Sequence, residues 1–348
     1  MAGTTTIRDV AREAHVSIAT VSYVLNDSRR VTEETRQRVL GAVTRLGYRA
    51  NITARNLQAN ETRLFAYTWQ PSPPDQFNPI LDSFLQAAVA AAARRGYRFL
   101  VFPTATIADE LATYQALILE GQVDGFVLSN THLEDERVRC LLDAGFPFVA
   151  FGRSNPGWDF SWVDVDGTAG VRMAVEHLLA QGHRRISCLS WPAPSLAGQH
   201  RLNGFLAAMQ KAGLAIDPAW IERAENTYAD AYASTRRLLA LPPDRRPTAI
   251  VTMSDLMAIG VINAAWDAGA EPGRELAVIG FDDAPVARFL RPSLTSLRQP
   301  IAEVGERLVG MLVDLCRAQR STEHEVLLQP ELIVRASSDF HVWRAKQL

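Results

Sequence analysis

Two groups of side chains in this sequence have types and spacings suited to binding chemistry. One is scattered from Trp69 to Asp282: Trp69 and Gln70, Phe77 and Asn78, Arg153, Trp162, Arg201, Ser254 and Asp282. A sugar presents an apolar ring face and a rim of hydroxyls, so its site needs a flat ring to stack on and charged partners for the rim. Trp69 and Trp162 suit the first task; Arg153, Arg201 and Asp282 suit the second. Each residue also has a plainer assignment. Ser254-Asp255 is also read as a helix cap, Arg201 with Asp282 as a structural ion pair, and the tryptophans as core filling. Asp164 and Asp166 read as loop and cap residues. The other group is a run of arginines, Arg8, Arg12, Arg29, Arg30, Arg36, Arg38, Arg45, Arg49 and Arg55, suited to neutralising backbone phosphates.

Catalytic sets are not evident. The sequence holds no G-x-x-x-x-G-K-[ST], H-E-x-x-H, G-x-S-x-G or G-x-G-x-x-G. His177 and His183 sit six residues apart around Gly182, a poor metal spacing. Asp282 and Asp283 are adjacent, so on a strand they face opposite ways and cannot share acid–base work. We expect no catalytic residue, no metal and no cofactor.

The arginines lie on a helical frame. Ile7, Val10, Ala11 and Ala14 recur at helical spacing, with Thr6 and Asp9 forming a capping-box-like start. Ser17 caps a second helix whose inner face is Val21, Val24 and Leu25, leaving Ile18, Ala19, Ser22, Tyr23 and Asn26 outside. A third helix starts at Thr32, buries Val39, Ala42, Val43 and Leu46, and ends at Gly47. A helix with a small, mixed outer face fits the major groove. A helical hairpin for protein contacts, or a solvated charged face, gives the same pattern.

Charge favours the first reading. The chain has 348 residues, 47% apolar and 21% charged, with net charge −2, ordinary for a soluble protein with a sizeable core. The average hides an asymmetry. Residues 1–60 carry nine arginines against five acidic residues, net +4, and the remainder is net −6. Positive charge is thus confined to the N-terminal part. Three scattered cysteines, Cys140, Cys188 and Cys316, point to reduced thiols. No apolar signal core or membrane-length run appears, so a cytoplasmic location without membrane contact is expected.

Beyond Arg63, short apolar runs at 64–69, 98–102, 124–128, 148–151, 186–189, 249–252 and 276–280 alternate with helical stretches at 79–96, 108–120, 168–182, 198–213 and 254–269. Alternation of this kind predicts parallel sheets covered on both faces. About ten strand signals exceed one comfortable sheet, so an α/β core of two Rossmann-like lobes is expected, with ligand beyond the carboxyl ends of the strands.

Thr6-Ile7-Arg8-Asp9-Val10-Ala11, Val16-Ser17, Thr20-Val21-Ser22, Val24-Leu25-Asn26, Thr35-Arg36-Gln37-Arg38-Val39 and Leu46-Gly47-Tyr48 resemble the head of the lactose/galactose-repressor (LacI/GalR) family. Asn51 and Ala54-Arg55-Asn56-Leu57 resemble its hinge helix. Three departures stand out: His15 replaces the usual Gly, Ala50 the usual Pro, and Tyr23 a common Arg that contacts guanine. The resemblance implies a helix-turn-helix domain at 1–50, a hinge helix and linker at 51–62, and a type I periplasmic-binding-protein-like core at 63–348. Within the core it places one lobe at about 63–162 and 296–325, the other at about 163–295 and 326–348, with crossover strands near 294–299 and in the last segment. It also implies a homodimeric regulator, most often a repressor, on a palindromic double-stranded operator, with a carbohydrate-like effector in the cleft. Implied DNA contacts are Thr6, Ser17, Ile18, Ala19, Thr20, Ser22, Tyr23, Asn26, Arg30, Thr32, Asn51 and Ala54, with Leu57 as a minor-groove wedge. Gln70, Arg153, Trp162, Arg201, Ser254 and Asp282 become effector contacts. A sugar-metabolising enzyme, or a sugar-binding protein with a fused helical head, is the alternative.

Overall fold

The computed structural model of the chain describes residues 5–25, 31–48, 61–69, 78–193, 195–318 and 323–339. The expected contacts Asn26, Arg30, Asn51, Ala54, Leu57, Gln70 and Phe77 lie outside those residues. The chain divides into two compact units between Arg63 and Leu64, and each is described by itself.

The N-terminal unit contains α1 (Ile7–Glu13), α2 (Ile18–Leu25) and α3 (Glu33–Arg45) around Val10, Ala11, Ala14, Val21, Val24, Val39 and Ala42. The caps are local. The Asp9 carboxylate accepts from the Thr6 backbone N–H at 2.9 Å and its hydroxyl at 2.7 Å. Ser17 Oγ accepts from Thr20 N at 3.1 Å, opening α2. Thr32 accepts from Thr35 N at 3.4 Å, opening α3. His15, in the turn between α1 and α2, has φ 52°, the left-handed conformation that a residue in the usual glycine position must adopt.

The second unit holds two six-stranded sheets. The first runs β11-β5-β4-β3-β1-β2, all neighbours parallel. Its strands are β1 (Leu64–Trp69), β2 (Arg98–Pro103), β3 (Gly125–Ser129), β4 (Phe148–Phe151), β5 (Ser161–Val165) and β11 (Glu325–Leu328). The second runs β12-β10-β9-β8-β6-β7. It comprises β6 (Ile186–Ser190), β7 (Ile221–Arg223), β8 (Ala249–Thr252), β9 (Ala277–Asp282), β10 (Thr295–Arg298) and β12 (Glu331–Ile333), the last antiparallel to β10. Strand order 2-1-3-4-5, repeated as 7-6-8-9-10, is doubly wound. In each lobe the order reverses beside its first strand, opening a crevice at the carboxyl ends.

Helices cover the sheets. In the first lobe α4 (Pro79–Arg94) and α11 (Ile301–Cys316) pack on one face through Phe84, Ala88, Val304, Leu308 and Leu312. On the other, α5 (Ile107–Leu119) and α6 (Glu136–Asp143) pack through Tyr114, Leu117, Val138 and Leu141. The second lobe is enclosed by α7 (Gly167–Ala180), α8 (Leu196–Lys211), α9 (Tyr228–Leu239) and α10 (Asp255–Asp267) around Val175, Leu178, Phe205, Val251, Val261 and Phe281.

Sheet membership shifts the lobe limits from those the sequence suggests. The expected breaks after 162, 295 and 325 each fall within a strand: β5 continues to Val165, β10 stays in the second sheet to Arg298, and β11 stays in the first to Leu328. Hydrogen bonding along a ladder keeps each strand whole, so the crossovers come three residues later, next to Asp166, Gln299 and Gln329. Helices α6, α9 and α11 and the short strands β5, β7 and β11 are not singled out as elements from sequence. Among the described residues no helix is long and apolar enough to cross a membrane.

Candidate functional site

Where the carboxyl ends of both sheets meet, a cavity is lined from each lobe. Asn78, Asn130, Thr131, Phe151 and Asp164 come from the first; Trp191, His200, Arg201, Asn226 and Asp282 from the second; Gln299 stands at a crossover. Local structure positions these groups. Asn78 caps α4 and Ser195 caps α8, so each cap sets the start of a helix near the cleft. Buried Arg137 donates to the carbonyls of Ser129 and Asn130, at 3.3 and 3.2 Å, and so holds the loop carrying Asn130 and Thr131. Asp135 pairs with Arg137 at 2.7 Å, meeting the requirement that a buried charge have a partner.

Arg201 is the most deeply set cation of the site. Its guanidinium lies 3.6 Å from the Phe281 ring centroid and 4.7 Å from that of Trp191. One of its nitrogens donates to the Met253 carbonyl oxygen. Burial pushes its pKa down, against the opposing pull of Asp282, Asp164 and Asp255. The Trp191 indole N–H is buried without a hydrogen-bond partner among the described residues.

Asp282 faces Arg201 electrostatically, yet the ion pair considered from sequence is absent among the described contacts. Gln299 Nε2 donates to the carboxylate instead, at 2.7 Å. Burial pushes the Asp282 pKa up to about 6, while Arg201 and the Gln299 bond hold it back. Buried Asp255 is raised well above the usual carboxylate range, first by burial and then by Asp282. Its oxygens accept from Ser296 Oγ at 2.5 Å and Ala284 N at 2.7 Å. Asp282 and Asp283 have φ of 116° and 51°, so the strand end is strained at two successive non-glycine residues. Asp283 is turned into a separate cluster, where Arg335 and Arg298 pair with it at 2.6 and 2.8 Å.

Other expected residues fall elsewhere. Arg153 does not line the cavity: Nε donates to Asp164 Oδ2 at 2.7 Å, and the other end of the fork donates to His200 Nδ1 at 2.8 Å. Asp164, read from sequence as a loop residue, is in β5 with one face on the cavity. Asp166 caps α7 by accepting from Ala169 N at 2.9 Å. Trp162, also in β5, packs against the core beside α5 and α6, with the Arg153 guanidinium 5.7 Å from its ring. Trp69 ends β1 and is outside the lining. Ser254 is buried and caps α10, accepting from Met257 N at 3.2 Å and donating to Asn226 Oδ1 at 2.5 Å. It therefore meets the cavity lining through Asn226. Sequence reasoning missed His200, Asn226, Gln299, Trp191 and the Asn130-Thr131 pair. His200-Arg201 as neighbours on one helix was the available signal for the first.

A larger depression of about 620 Å³ lies between α5 and α6, lined by Leu111, Ile118, Leu119 and Cys140. It is open, and its cation Arg139 is engaged by Glu134 at 2.9 Å and by the Trp158 ring at 4.9 Å. The polar cleft is the better site because several charged groups converge there.

In the N-terminal unit, Ile18, Ala19 and Tyr23 are exposed along one side of α2, while Thr20 and Ser22 are half-buried. Ile18 and Tyr23 are 46% and 43% exposed on the same helix, an apolar surface suited to contact with a partner. Ser17 is exposed at the start of α2 and Thr32 at that of α3. Arg45 is partly tied down by Glu13 at 3.1 Å, and Arg12 lies 3.5 Å from Asp9. Arg8 and Arg38 are exposed and have no acidic partner among the described residues.

The pattern "Bacterial regulatory proteins, lacI family" matches residues 6–51, and "Periplasmic binding protein-like domain" matches residues 175–338. The HTH-type transcriptional repressor CytR of Escherichia coli strain K12 is 32% identical over 337 residues, covering 96% of both chains. Among solved structures, a LacI-family regulatory protein from Chloroflexus aggregans is 49% identical, with TM-score 0.76, covering 80% of this chain and 99% of that one. The transcriptional regulator CelR, in complex with cellobiose, is 30% identical, with TM-score 0.72, covering 96% and 99%.

Proposed function

The chain belongs to the LacI family of bacterial regulatory proteins, and from that premise we propose that it is a cytoplasmic repressor that binds a palindromic operator as a homodimer. A small carbohydrate-like effector in the interlobe cleft controls it. The observation that carries the effector reading is the convergence of Arg201, Asp282, Asn78 and Gln299 on one cavity at the carboxyl ends of both sheets. The forked donor and the carboxylate suit a rim of vicinal hydroxyls. The cellobiose complex of CelR supports a sugar as the ligand class.

At the operator, α2 enters the major groove with Ile18 and Ala19 against thymine methyls and Thr20, Ser22 and Tyr23 toward base edges. Tyr23 lacks the bidentate fork that reads guanine. Thr6, Ser17 and Thr32 lie against phosphates. Asn26, Arg30, Asn51, Ala54 and Leu57 join them on resemblance of sequence. Two heads on one dimer call for a two-fold operator. Effector changes the angle between lobes and thereby the separation of the hinges, a coupling of about 1–3 kcal/mol, or roughly 5–150-fold in operator affinity.

Selection of duplexes from a random pool, followed by a screen of mono- and oligosaccharides for release of the winner, tests this. A symmetric site and release by an unmodified sugar are expected. Failure to prefer any duplex sinks the DNA reading; turnover of the sugar points to an enzyme with a fused head.

A further inference from the structure

Arg153 and His200 make a contact that crosses the cleft. Arg153 follows β4 in the first lobe and is paired with Asp164; His200 belongs to α8 in the second lobe. A guanidinium carries only donors, so the 2.8 Å contact fixes His200 Nδ1 as the acceptor. The neutral ring must then carry its proton on Nε2. No described residue bonds to Nε2, and it is not sealed from solvent. His200 lines the cavity.

We propose that His200 is a specificity residue of the cleft, donating from Nε2 to an oxygen of an uncharged, hydroxyl-bearing effector, in a tautomer fixed by the positioning residue Arg153. This rests on the effector reading above and adds both a contact and a charge class. The groups facing His200 are Arg153 beyond β4, Asp164 on β5 and Asp166 at the start of α7. Burial and the Arg153 charge hold the ring below its ordinary pKa, the two carboxylates opposing. A neutral donor results.

The wider charge pattern fits the same ligand class. Arg153 is matched by Asp164, and Arg201 faces Asp282 and Asp255. Among the described residues no surplus positive charge remains at the cleft for a phosphate, whose recognition calls for uncompensated arginine or lysine donors.

The test has two arms. Protein labelled with ¹⁵N-histidine, with the resonance of His200 among seven histidines identified by its loss in His200→Gln, should show the Nε2–H tautomer near pH 7.5. Arg153→Leu should return it to a mixture. In parallel, calorimetric titration measures D-glucose, D-ribose, cellobiose, glucose 6-phosphate and ribose 5-phosphate on each variant. His200→Leu should weaken the best unphosphorylated sugar by at least about tenfold, and His200→Gln, which can place an amide N–H near Nε2, should restore most of it. An Nδ1–H tautomer, or a sugar bound equally well by His200→Leu, overturns the proposal and leaves the effector reading intact. Tighter binding of either phosphorylated sugar overturns the charge class. If the wild-type protein binds none of the five, the carbohydrate reading fails and His200 loses its role with it. Should His200→Leu not fold, the tautomer spectrum and the glutamine variant still decide.

Discussion

Asp282 gives the cleft a measurable pH response. Its pKa is pushed up to about 6, against 3.8 for an ordinary aspartate, because burial costs the charged form more than Arg201 and Gln299 return. A carboxyl raised on folding contributes stability that is fully present below about 3.8 and is lost as pH rises through about 6. Ligand binding has the opposite sign, since accepting two hydroxyls requires the ionised form. Sugar affinity measured from pH 7.5 to 5 should therefore fall by about tenfold, with the midpoint near 6. A flat profile would remove Asp282 from the contact set. Arg201→Ala and Asp282→Ala should each abolish effector-dependent release in a gel-shift assay while sparing operator binding; loss of both activities together would indicate a folding defect. Much of this site was hard to read in advance. Arg201 and Asp282 stood out because charge at the end of an apolar strand or the start of a helix is conspicuous. Trp162 misled, since its side chain is as suited to a core wall as to a sugar face. Asp164 reads only as a loop residue and His200 gives no signal of its own, because only folding brings Arg153 between them.

At the scale of elements, local patterns predicted well where burial is complete. Strands β3 and β6 are buried at every residue and read as short, mainly apolar runs with only small polar residues among them. Helix α6, eight residues long with Arg137 buried beneath it, and β7, three residues long, carry too little pattern to be seen. Their places are set by tertiary pairing. Close helix packing is likewise encoded in single glycines. A Cβ at Gly260 of α10 would stand 2.6 Å from the Tyr228 carbonyl oxygen of α9, and one at Gly204 would overlap the Thr168 carbonyl between α7 and α8. Neither obstacle is a flexible side-chain end. Gly260→Ala should destabilise the core by about 1–3 kcal/mol, read as an earlier denaturant midpoint with unchanged slope. An unchanged midpoint would show that α9 and α10 separate freely. The hinge yields a second test at this scale. If Leu57 wedges into the minor groove, Leu57→Ala should reduce both DNA bending and operator affinity, the latter by several-fold or more. Bending measured by fluorescence energy transfer across a labelled operator would expose a wedge that does nothing.

For the whole molecule, the decisive property is a charge distribution that the net value conceals. Residues 1–60 carry +4 and the remaining chain −6, so attraction to DNA must come from the head while the core opposes it. Arg8 and Arg38 are exposed and free of acidic partners among the described residues. With about three to four phosphates neutralised by arginine in each head, a dimer would displace about six to eight counterions, for a slope near −0.9 per phosphate in log affinity against log salt. Operator affinity should then fall about 10³–10⁴-fold between 50 and 200 mM salt. Arg38→Ala should lower the magnitude of the slope by about two, one phosphate per head, on any duplex tested. Tyr23→Ala should leave the slope unchanged and alter the base preference instead. This contrast separates the residues that hold the backbone from those that read the sequence. Fluorescence anisotropy on a selected operator and on a scrambled duplex, each across the salt range, measures both. Equal slopes for wild type and Arg38→Ala would remove α3 from the phosphate contacts and place the grip of the head elsewhere.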